Sequence, residues 1–247
     1  QVHRAQMKAT GEQVIIKVQR PGLKEIFDID LKNLRVIAKW LQKVDPKNDG
    51  AKRDWVAIFD ETARVLYDEV DYTNEAKNAE EFRNQFAGSD WIKVPRIFWD
   101  FTKRRTLCME YAPATKINDV EAIKSMGIDP DRMARLAVEA YLQQVLRFGF
   151  FHADPHPGNI LLMPDGRLGL IDYGQVKRVN KGARVAYAKL TLAILAEDKA
   201  EVARLLRSAP PEGFGGESRD NDVDVAYRLC VFWNDCLLYT SDAADER

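Results

Sequence analysis

Alternating apolar and polar positions at the start of the chain predict a β-hairpin. Residues 13–19 are rich in β-branched and apolar side chains, and residues 1–7 show a weaker polar–apolar alternation. Between them, Thr10-Gly11-Glu12 supplies a turn, and Pro21-Gly22 stops the second strand. The chain is therefore expected to open with two paired strands.

Apolar residues at helical spacing predict two long helices after this hairpin. The first covers residues 24–44, and a polar loop follows over 45–50. The second, rich in Ala, Glu and Arg, is predicted to run as one stretch from 54 to 86.

The rest of the chain predicts a second, mainly helical part. Short strands, a helix, a hairpin and two further helices are predicted at residues 91–99, 106–111, 130–148, 160–163 with 168–171, 181–196 and 199–208. The composition changes at Ala112-Pro113-Ala114, so we predict two lobes, residues 1–111 and 112–236. The stretch 209–222 is a predicted linker, and 237–247 is expected to be a non-native or disordered tail.

The composition argues against several classes of protein. The chain has 247 residues, 46% of them apolar and 30% charged, and its 37 basic residues nearly balance 38 acidic ones. This balance argues against a disordered tail and against a strongly basic nucleic-acid binder. No apolar run reaches the roughly 18 residues that a membrane-spanning helix needs. The 3 cysteines form no CxxC pair, so we expect reduced thiols in a non-secretory compartment.

The densest chemical signal lies in residues 152–159 (HADPHPGN) and 171–174 (IDYG). Asp154 is followed by Asn159 five residues on and by Asp172 thirteen residues further, which is the spacing of a protein-kinase-like centre. In such a centre the first Asp lies beside the nucleophile, while the Asn and the second Asp hold Mg²⁺. ATP phosphates are strongly negative, and a divalent metal ion held by carboxylate and amide oxygens can neutralise their charge in a cleft.

Two other interpretations of this segment remain open at this point. The histidines and Asp154 could simply satisfy a polar turn. A zinc site is the weaker alternative, because Pro155 and Pro157 forbid the helical ligand spacing of zinc proteases and the chain has only 3 histidines.

Lys17 is unusual because it lies inside an apolar predicted strand. Most such lysines face solvent at a sheet edge. A kinase-like centre, in contrast, needs a strand lysine for the α- and β-phosphates, oriented by a glutamate on a helix. Candidate acidic residues lie in the segment 68–76, although acidic clusters on helices are usually solvated faces.

Three motifs, in this order along the chain, resemble the UbiB/ADCK family of atypical kinases. They are Val18-Gln19-Arg20-Pro21-Gly22, Glu69-Val70-Asp71-Tyr72 with Glu75-Ala76, and residues 152–159; the similarity spans about 1 to 205. The opening Gln1-Val2-His3-Arg4-Ala5 resembles the end of that family's alanine-rich loop, and the rest of that loop and the KxGQ motif are not in this sequence. The resemblance implies an α+β, bilobal, protein-kinase-like fold, with a small β-rich N-lobe carrying long inserted helices and a mainly helical C-lobe.

The resemblance also implies a role for each matching residue. Lys17 would bind the phosphates and Glu75 would pair with it. Asp154 would take the catalytic-aspartate position, and Asn159 and Asp172 would be the Mg²⁺ ligands.

Four further residues are assigned to nucleotide binding on the same basis: Glu69, Asp71, Glu110 and Tyr111. Glu69 and Asp71 match the family's ExD motif, which occupies the place where a peptide substrate would otherwise approach. On one continuous helix Asp71 shares a face with Glu75, four residues on, while Glu69 points elsewhere. For both motif acids to reach a metal, the helix must bend or the insert over 24–44 must present it.

The sequence departs from ordinary kinases at three points. Ala153 replaces the arginine of the HRD pattern, so a phosphorylated activation loop has no docking partner. Tyr173 replaces the phenylalanine of DFG, adding a hydroxyl that needs a partner if buried. Only about six residues separate Gly174 from the next predicted helix, which leaves little room to dock a peptide. We therefore do not expect the protein to phosphorylate other proteins.

The expected function is that of a Mg·ATP-binding atypical kinase or ATPase of the UbiB type. The resemblance implies a role in prenylquinone (ubiquinone or plastoquinone) lipid metabolism, peripheral to a chloroplast or mitochondrial membrane, or to the cytoplasmic face of a bacterial one. The expected partners are the nucleotide and a prenyl lipid or membrane surface, with no nucleic acid. The alternatives are an aminoglycoside- or choline-kinase-like phosphotransferase, against which the VQRPG and ExD motifs stand, and a pseudokinase scaffold.

Overall fold

The computed structural model describes residues 1–44 and 54–208, and the predicted loops over 45–50 and 209–222 and the predicted tail 237–247 lie outside them. In chain order the elements are β1 (Val2–Gln6), β2 (Gln13–Val18), α1 (Leu23–Val44), α2 (Trp55–Glu69), α3 (Tyr72–Gln85), β3 (Ile92–Lys93), β4 (Thr106–Glu110), β5 (Thr115–Lys116), α4 (Val120–Ser125), α5 (Pro130–Leu142), β6 (Phe150–His152), β7 (Ile160–Leu162), β8 (Leu168–Leu170), β9 (Val176–Arg178), α6 (Lys181–Leu195) and α7 (Lys199–Ser208).

The chain forms two compact units. Among the described residues, the first comprises 1–44, 54–89, 93–113 and 169–175, and the second comprises 90–92, 114–168 and 176–208. The predicted lobe boundary between residues 111 and 112 stays a prediction. What matters for the site is that the segment 169–175 belongs to the first unit although it is distant from that unit's other residues in sequence.

The first unit is built on an antiparallel sheet in the order β1-β2-β4. The turn between β1 and β2 is closed by the Met7 N–H, which donates to the Glu12 carbonyl at 2.9 Å. The predicted hairpin is therefore confirmed. The register places Lys17 of the central strand opposite Val2 on one side and Leu107 on the other. Lys17 thus lies in the middle of the sheet, not at its edge.

The predicted single helix over 54–86 is wrong, because the chain breaks into α2 and α3 at Val70 and Asp71. Asp71 adopts an extended conformation (φ −109°, ψ 96°), and its carboxylate accepts the Thr73 N–H as the N-cap of α3. An aspartate in this position satisfies the free N–H groups of a helix start better than it continues a helix. The helix predicted over 24–44 is confirmed as α1.

The strand predicted over 91–99 is also wrong, since only Ile92–Lys93 is a strand. Pro95 has no N–H to donate to a sheet ladder, which limits the strand. Beyond this proline the chain runs beside β4 over a short distance, where the Phe98 N–H donates to the Cys108 carbonyl at 2.9 Å and Ile97 bridges Met109.

In the second unit, the helix predicted over 130–148 consists of α5 followed by a π-helical segment over Gln143–Phe148. Gly149 ends it in the left-handed conformation with φ 66°. A Cβ at this position would lie 2.6 Å from the Val179 carbonyl oxygen, so only glycine fits. The chain then enters β6, which pairs antiparallel with β9.

The strands β7 and β8 form the predicted second hairpin around Pro164-Asp165-Gly166. The Gly166 N–H donates to the Met163 carbonyl at 2.9 Å, and Gly166 has φ 84°. β5 pairs antiparallel with β7 on this unit's sheet. Across residues 1–44 and 54–208, no helix combines the length and apolar character required to span a membrane.

Candidate functional site

Three of the sequence-predicted site residues meet in the first unit: Lys17, Glu75 and Asp172. The Lys17 Nζ donates to Glu75 Oε1 at 2.5 Å and lies 3.5 Å from Asp172 Oδ2. The Lys17 and Glu75 side chains are only 15% and 8% exposed, whereas that of Asp172 is 39% exposed. The cluster is therefore an ion triad that is buried at one end and open to solvent at the carboxylate of Asp172.

Local structure explains why these side chains converge. Lys17 leaves the central strand β2, and Glu75 lies on the buried face of α3, which it shares with Ala79 and Phe82. A charged residue on an apolar helix face is tolerated only when a partner neutralises it, and Lys17 supplies that partner. Asp172 comes two residues after the end of β8.

The charges in this cluster are coupled, and burial raises the pKa of Glu75 although the Lys17 ammonium opposes this shift. Burial acts to lower the pKa of Lys17, but the carboxylates of Glu75 and Asp172 outweigh it, so the pKa of Lys17 is raised above its ordinary value. Lys17 is accordingly a fixed cation at neutral pH. With two carboxylates around one ammonium, the cluster keeps a net negative charge that favours a bound cation beside Asp172.

The segment that carries Asp172 is held from several sides. Tyr173 is 1% exposed, and its hydroxyl donates to the Leu170 carbonyl, which confirms that a buried hydroxyl here needs a partner. Its ring packs on Phe82 with centroids 5.4 Å apart, and burial raises the pKa of Tyr173 well above its ordinary value. The Gly174 N–H donates to Asp172 Oδ1 at 2.9 Å, which fixes the orientation of the carboxylate.

The ExD segment coincides with the break between α2 and α3. Glu69 and Asp71 therefore do not lie on one continuous helix. Asp71 Oδ1 accepts the Thr73 N–H at 3.0 Å and Oδ2 lies 3.5 Å from the Arg104 Nε, so both oxygens have protein partners. Glu69 is the last residue of α2. The assignment of these two acids to nucleotide binding stays a prediction.

Glu110 is the last residue of β4, and Tyr111 follows it. Glu110 accepts the Lys93 ammonium at 2.8 Å and the Arg96 N–H at 3.1 Å. Burial acts to raise the pKa of Glu110, but these two donors outweigh it and leave that pKa lowered. The Tyr111 N–H donates to the Gln13 carbonyl at 3.1 Å. Their assignment to nucleotide binding is likewise still a prediction.

The predicted catalytic loop lies in the second unit and is tightly folded on itself. The Asp154 carbonyl accepts the His156 N–H at 2.7 Å and the Asn159 side-chain amide at 3.4 Å. The His156 Nδ1 in turn accepts the Gly158 N–H at 2.9 Å. The Asp154 side chain is exposed, so the loop presents this carboxylate to solvent while its backbone is held.

The side chain of Gln144 forms a hydrogen bond with the backbone at the start of this loop. Its Oε1 accepts the His152 N–H at 3.0 Å, and the His152 Nδ1 accepts the Asp154 N–H at 3.2 Å. Gln144 is fully buried in the π-helical segment. Nearby, burial and then the charge of Asp154 raise the pKa of Tyr141 to about 12. A chain of contacts therefore connects the helix to the backbone of Asp154.

Two residues of these networks were missed from the sequence. Asn78 donates its side-chain amide to the Tyr173 carbonyl at 2.9 Å, and Gln144 holds His152. The signals were present but weak. Asn78 lies three residues after Glu75 on α3, and Gln144 is a polar residue four positions after Ala140, on the apolar stripe of its helix.

The donor chemistry of the predicted metal ligands fits Mg²⁺. A carboxylate and a side-chain amide supply the oxygen ligands that this ion prefers, and Asp172 is both oriented and partly exposed. In the part of the chain that the structure describes, no group of three or more His, Cys, Asp or Glu side chains could by itself hold a metal ion. Magnesium bound with a nucleotide takes only one or two carboxylates, and phosphates complete its coordination.

Comparison with known proteins finds similarity to one family of atypical kinases. A sequence profile of the ABC1 atypical kinase-like domain matches residues 1–206. The protein ACTIVITY OF BC1 COMPLEX KINASE 8, chloroplastic, of Arabidopsis thaliana is 57% identical over 186 residues, which are 74% of this chain and 24% of that protein. ACTIVITY OF BC1 COMPLEX KINASE 7, chloroplastic, of the same plant is 43% identical over 244 residues, 98% of this chain and 33% of that protein. The chain thus spans between about a quarter and a third of the length of these relatives.

A solved structure is also similar. Rv3197 from Mycobacterium tuberculosis, determined in complex with erythromycin, matches with a TM-score of 0.71 at 24% sequence identity. The match covers 95% of this chain and 57% of that one. At this level of identity the similarity concerns the fold.

Proposed function

Since the chain belongs to the ABC1 atypical kinase-like family and has a kinase-like α+β fold, we propose that it binds ATP with Mg²⁺ and catalyses phosphoryl transfer or ATP hydrolysis. The observation that carries this proposal is the Lys17–Glu75–Asp172 triad, with Nζ 2.5 Å and 3.5 Å from the two carboxylates. Such a triad joins a phosphate-binding cation to a metal-binding anion.

Each residue of the proposed site has a task that its surroundings allow. Lys17 remains charged and pairs with the phosphates, while Glu75 holds its ammonium in place. Asp172 and Asn159 supply the oxygen ligands of Mg²⁺, which when bound neutralises charge that develops on the phosphates. Asp154 orients the attacking hydroxyl or water and takes up its proton.

We propose a small acceptor, or water, in preference to a protein substrate. Between Gly174 and the start of α6 at Lys181 the chain forms only the short strand β9. In protein kinases this stretch contains the activation loop that supports the substrate peptide. Its shortness here supports the expectation that other proteins are not phosphorylated.

We further propose that the protein acts in prenylquinone lipid metabolism, peripheral to a plastid membrane. The support is the family resemblance and the description of both compared relatives as chloroplastic. Because this chain spans only part of those relatives, the acceptor and the activity of the whole protein belong to the proposal.

Nucleotide binding by the full chain tests the core of the proposal. Calorimetric titration with Mg·ATP should show binding that EDTA abolishes, and Asp172→Asn should weaken it by about tenfold or more, because it removes a charged metal ligand. Asp165→Asn is the matched control, since Asp165 lies in the exposed turn of the β7–β8 hairpin and pairs with Arg167. Equal affinity of the wild type and Asp172→Asn for Mg·ATP would show that the metal site is assigned wrongly.

Turnover distinguishes an enzyme from a nucleotide-binding scaffold. Phosphate release from [γ-³²P]ATP should be detectable and should be lost in Asp154→Asn, which keeps the loop's backbone contacts but not its carboxylate. Binding of Mg·ATP without any release, with or without added lipid, would contradict the enzymatic part of the proposal.

A further inference from the structure

The helix α1 has two apolar faces, and α2 covers only one of them. On the covered face Leu31 and Ala38 are 5% and 7% exposed. Polar contacts with α2 border this face, including the Tyr67 hydroxyl, which donates to Asp28 at 2.7 Å, and the Trp55 N–H, which donates to the Gln42 side chain at 2.7 Å. Packing against α2 therefore fixes the rotation of α1 about its own axis.

This rotation turns a second row of large apolar side chains to solvent, which we call the outer face. Its members are between 48% and 65% exposed, and they are Ile26, Ile29, Val36, Ile37, Trp40 and Val44. At helical geometry they fall within an arc of about 100°, on the side opposite Leu31 and Ala38. Exposure of six large apolar residues along one helix is more than scattered surface hydrophobicity and indicates an interaction surface.

The charges beside the C-terminal part of the outer face are basic, whereas the exposed acids Glu25 and Asp30 border its N-terminal part. Lys32, Lys39 and Lys43 are exposed and line one edge of it. The chain has no acidic residue between positions 31 and 44, so the C-terminal half of α1 is basic throughout. A surface that complements this face is both apolar and negatively charged.

We propose that the outer face of α1 docks, parallel to the plane of the bilayer, into the interface of a membrane that contains anionic lipids. Amphipathic helices with lysines beside an apolar face bind membranes in this orientation, and their affinity combines apolar burial with attraction to acidic headgroups. Trp40 lies within the face, and tryptophan favours the headgroup level. A second copy packed in parallel would bring the same lysines together and repel them, and an antiparallel copy is an outcome that the experiment below distinguishes.

This inference extends the proposed peripheral membrane location to a defined surface. It rests on that location only for its biological setting, because lipid binding is measured without nucleotide. Its failure would leave the proposed phosphoryl chemistry untouched.

Vesicle flotation of the full chain tests the proposal. The chain should float with vesicles of phosphatidylcholine containing phosphatidylglycerol and bind pure phosphatidylcholine vesicles about tenfold more weakly. The variant Ile29→Ser/Val36→Ser/Trp40→Ser should lose at least about tenfold in affinity for the anionic vesicles. The matched control is Val138→Ser/Leu142→Ser, which removes two exposed apolar side chains from α5 and should bind like the wild type.

A second variant separates charge from apolar contact. Lys32→Gln/Lys39→Gln/Lys43→Gln should bind anionic vesicles more weakly, and its binding should depend less on salt than that of the wild type. Unfolding midpoints of all variants establish that they remain folded. Depth is read independently from quenching of Trp40 fluorescence by brominated lipids, obtained as the difference between the wild type and Trp40→Phe.

Several results would overturn the proposal. One is equal flotation of the wild type and the outer-face serine variant. Another is Trp40 fluorescence that brominated lipids do not quench. Concentration-dependent self-association that the serine variant abolishes, without any lipid binding by the wild type, would assign the outer face to a second copy of the chain.

Discussion

Lys17 and Asp172 lie 155 positions apart in the chain, yet the Lys17 ammonium and the Asp172 carboxylate are 3.5 Å apart in the folded first unit. The ammonium comes from strand β2 of the sheet, and the carboxylate comes from the segment that follows β8. Glu75 adds a third charge from α3 at 2.5 Å. Such a cluster is costly to bury unless every member is paired, which makes its removal measurable.

The first prediction concerns Glu75→Gln. Losing one carboxylate leaves the buried Lys17 ammonium with Asp172 alone, so we expect the free energy of unfolding to fall by about 2 kcal/mol, less than for a fully unpaired buried charge. Urea denaturation monitored by circular dichroism measures it. Glu80→Gln on the same helix is the control, because its ion pair with Arg83 is more exposed and should contribute less than about 0.5 kcal/mol. A similar small effect for both variants would mean that the pairing of Lys17 with Glu75 contributes little.

The second prediction concerns Asn78→Ala. The amide of Asn78 holds the Tyr173 carbonyl, 95 positions away in sequence, at 2.9 Å. Its loss leaves a half-buried carbonyl without that donor, and we expect a cost of about 1–2 kcal/mol in unfolding free energy. Because Tyr173 adjoins Asp172, the affinity for Mg·ATP should fall as well. Asn84→Ala, at an exposed position of α3, should change neither quantity. If Asn78→Ala lost stability but kept full affinity, Asn78 would support the fold without orienting Asp172.

Local signals allowed much of the fold to be predicted. The β1–β2 hairpin has its turn residues beside its strands, and α1 follows its apolar period. The break between α2 and α3 was missed because the helix-favouring composition continues across it, and only Asp71 marks the new N-terminus. The strand over 91–99 is shorter than its apolar residues indicate, because Pro95 has no N–H to donate to a ladder.

Site residues that belong to a sequence motif could be predicted, whereas residues whose contacts arise only in the folded chain could not. Lys17, Glu75 and Asp172 could be named because their types and order match a known pattern. Asn78 bonds to the backbone carbonyl of Tyr173, which is distant in sequence, and Gln144 bonds to the backbone N–H of His152. Every residue type except proline carries both backbone groups, so the sequence does not reveal which of them will be bonded.

The third prediction concerns pH and Glu110. Two donors lower the pKa of this carboxyl below its ordinary value of 4.5 in the folded state. Its stabilisation should therefore be fully present above about pH 4.5 and lost as the pH falls through the folded-state pKa. Glu110→Gln should be less stable than the wild type by about 1 kcal/mol at pH 7, with the difference shrinking in acid. Urea midpoints between pH 7 and pH 3 measure it, and a difference that does not change with pH would show that charge is not the cause.

The last prediction concerns Gln144→Leu. Leucine keeps the volume of this fully buried side chain but cannot accept the His152 N–H, now accepted at 3.0 Å. A buried donor without an acceptor costs about 1–3 kcal/mol, so we expect a loss of stability of that size. Because the His152 Nδ1 accepts the Asp154 N–H, the position of Asp154 should loosen as well.

The kinetic consequence distinguishes positioning from support of the fold. If Gln144 positions Asp154 through His152, Gln144→Leu should lower kcat for phosphate release while KM for ATP stays nearly constant, and Gln144→Glu, which retains an acceptor oxygen, should restore part of kcat. Gln143→Leu is the control, because the Gln143 amide bonds to Glu139 on the helix surface and should leave kcat unchanged. Equal kcat for Gln144→Leu and the wild type, measured where both are folded, would restrict Gln144 to a structural role. A fall in kcat of the Gln143→Leu variant to the same extent would instead assign the effect to the π-helical segment as a whole.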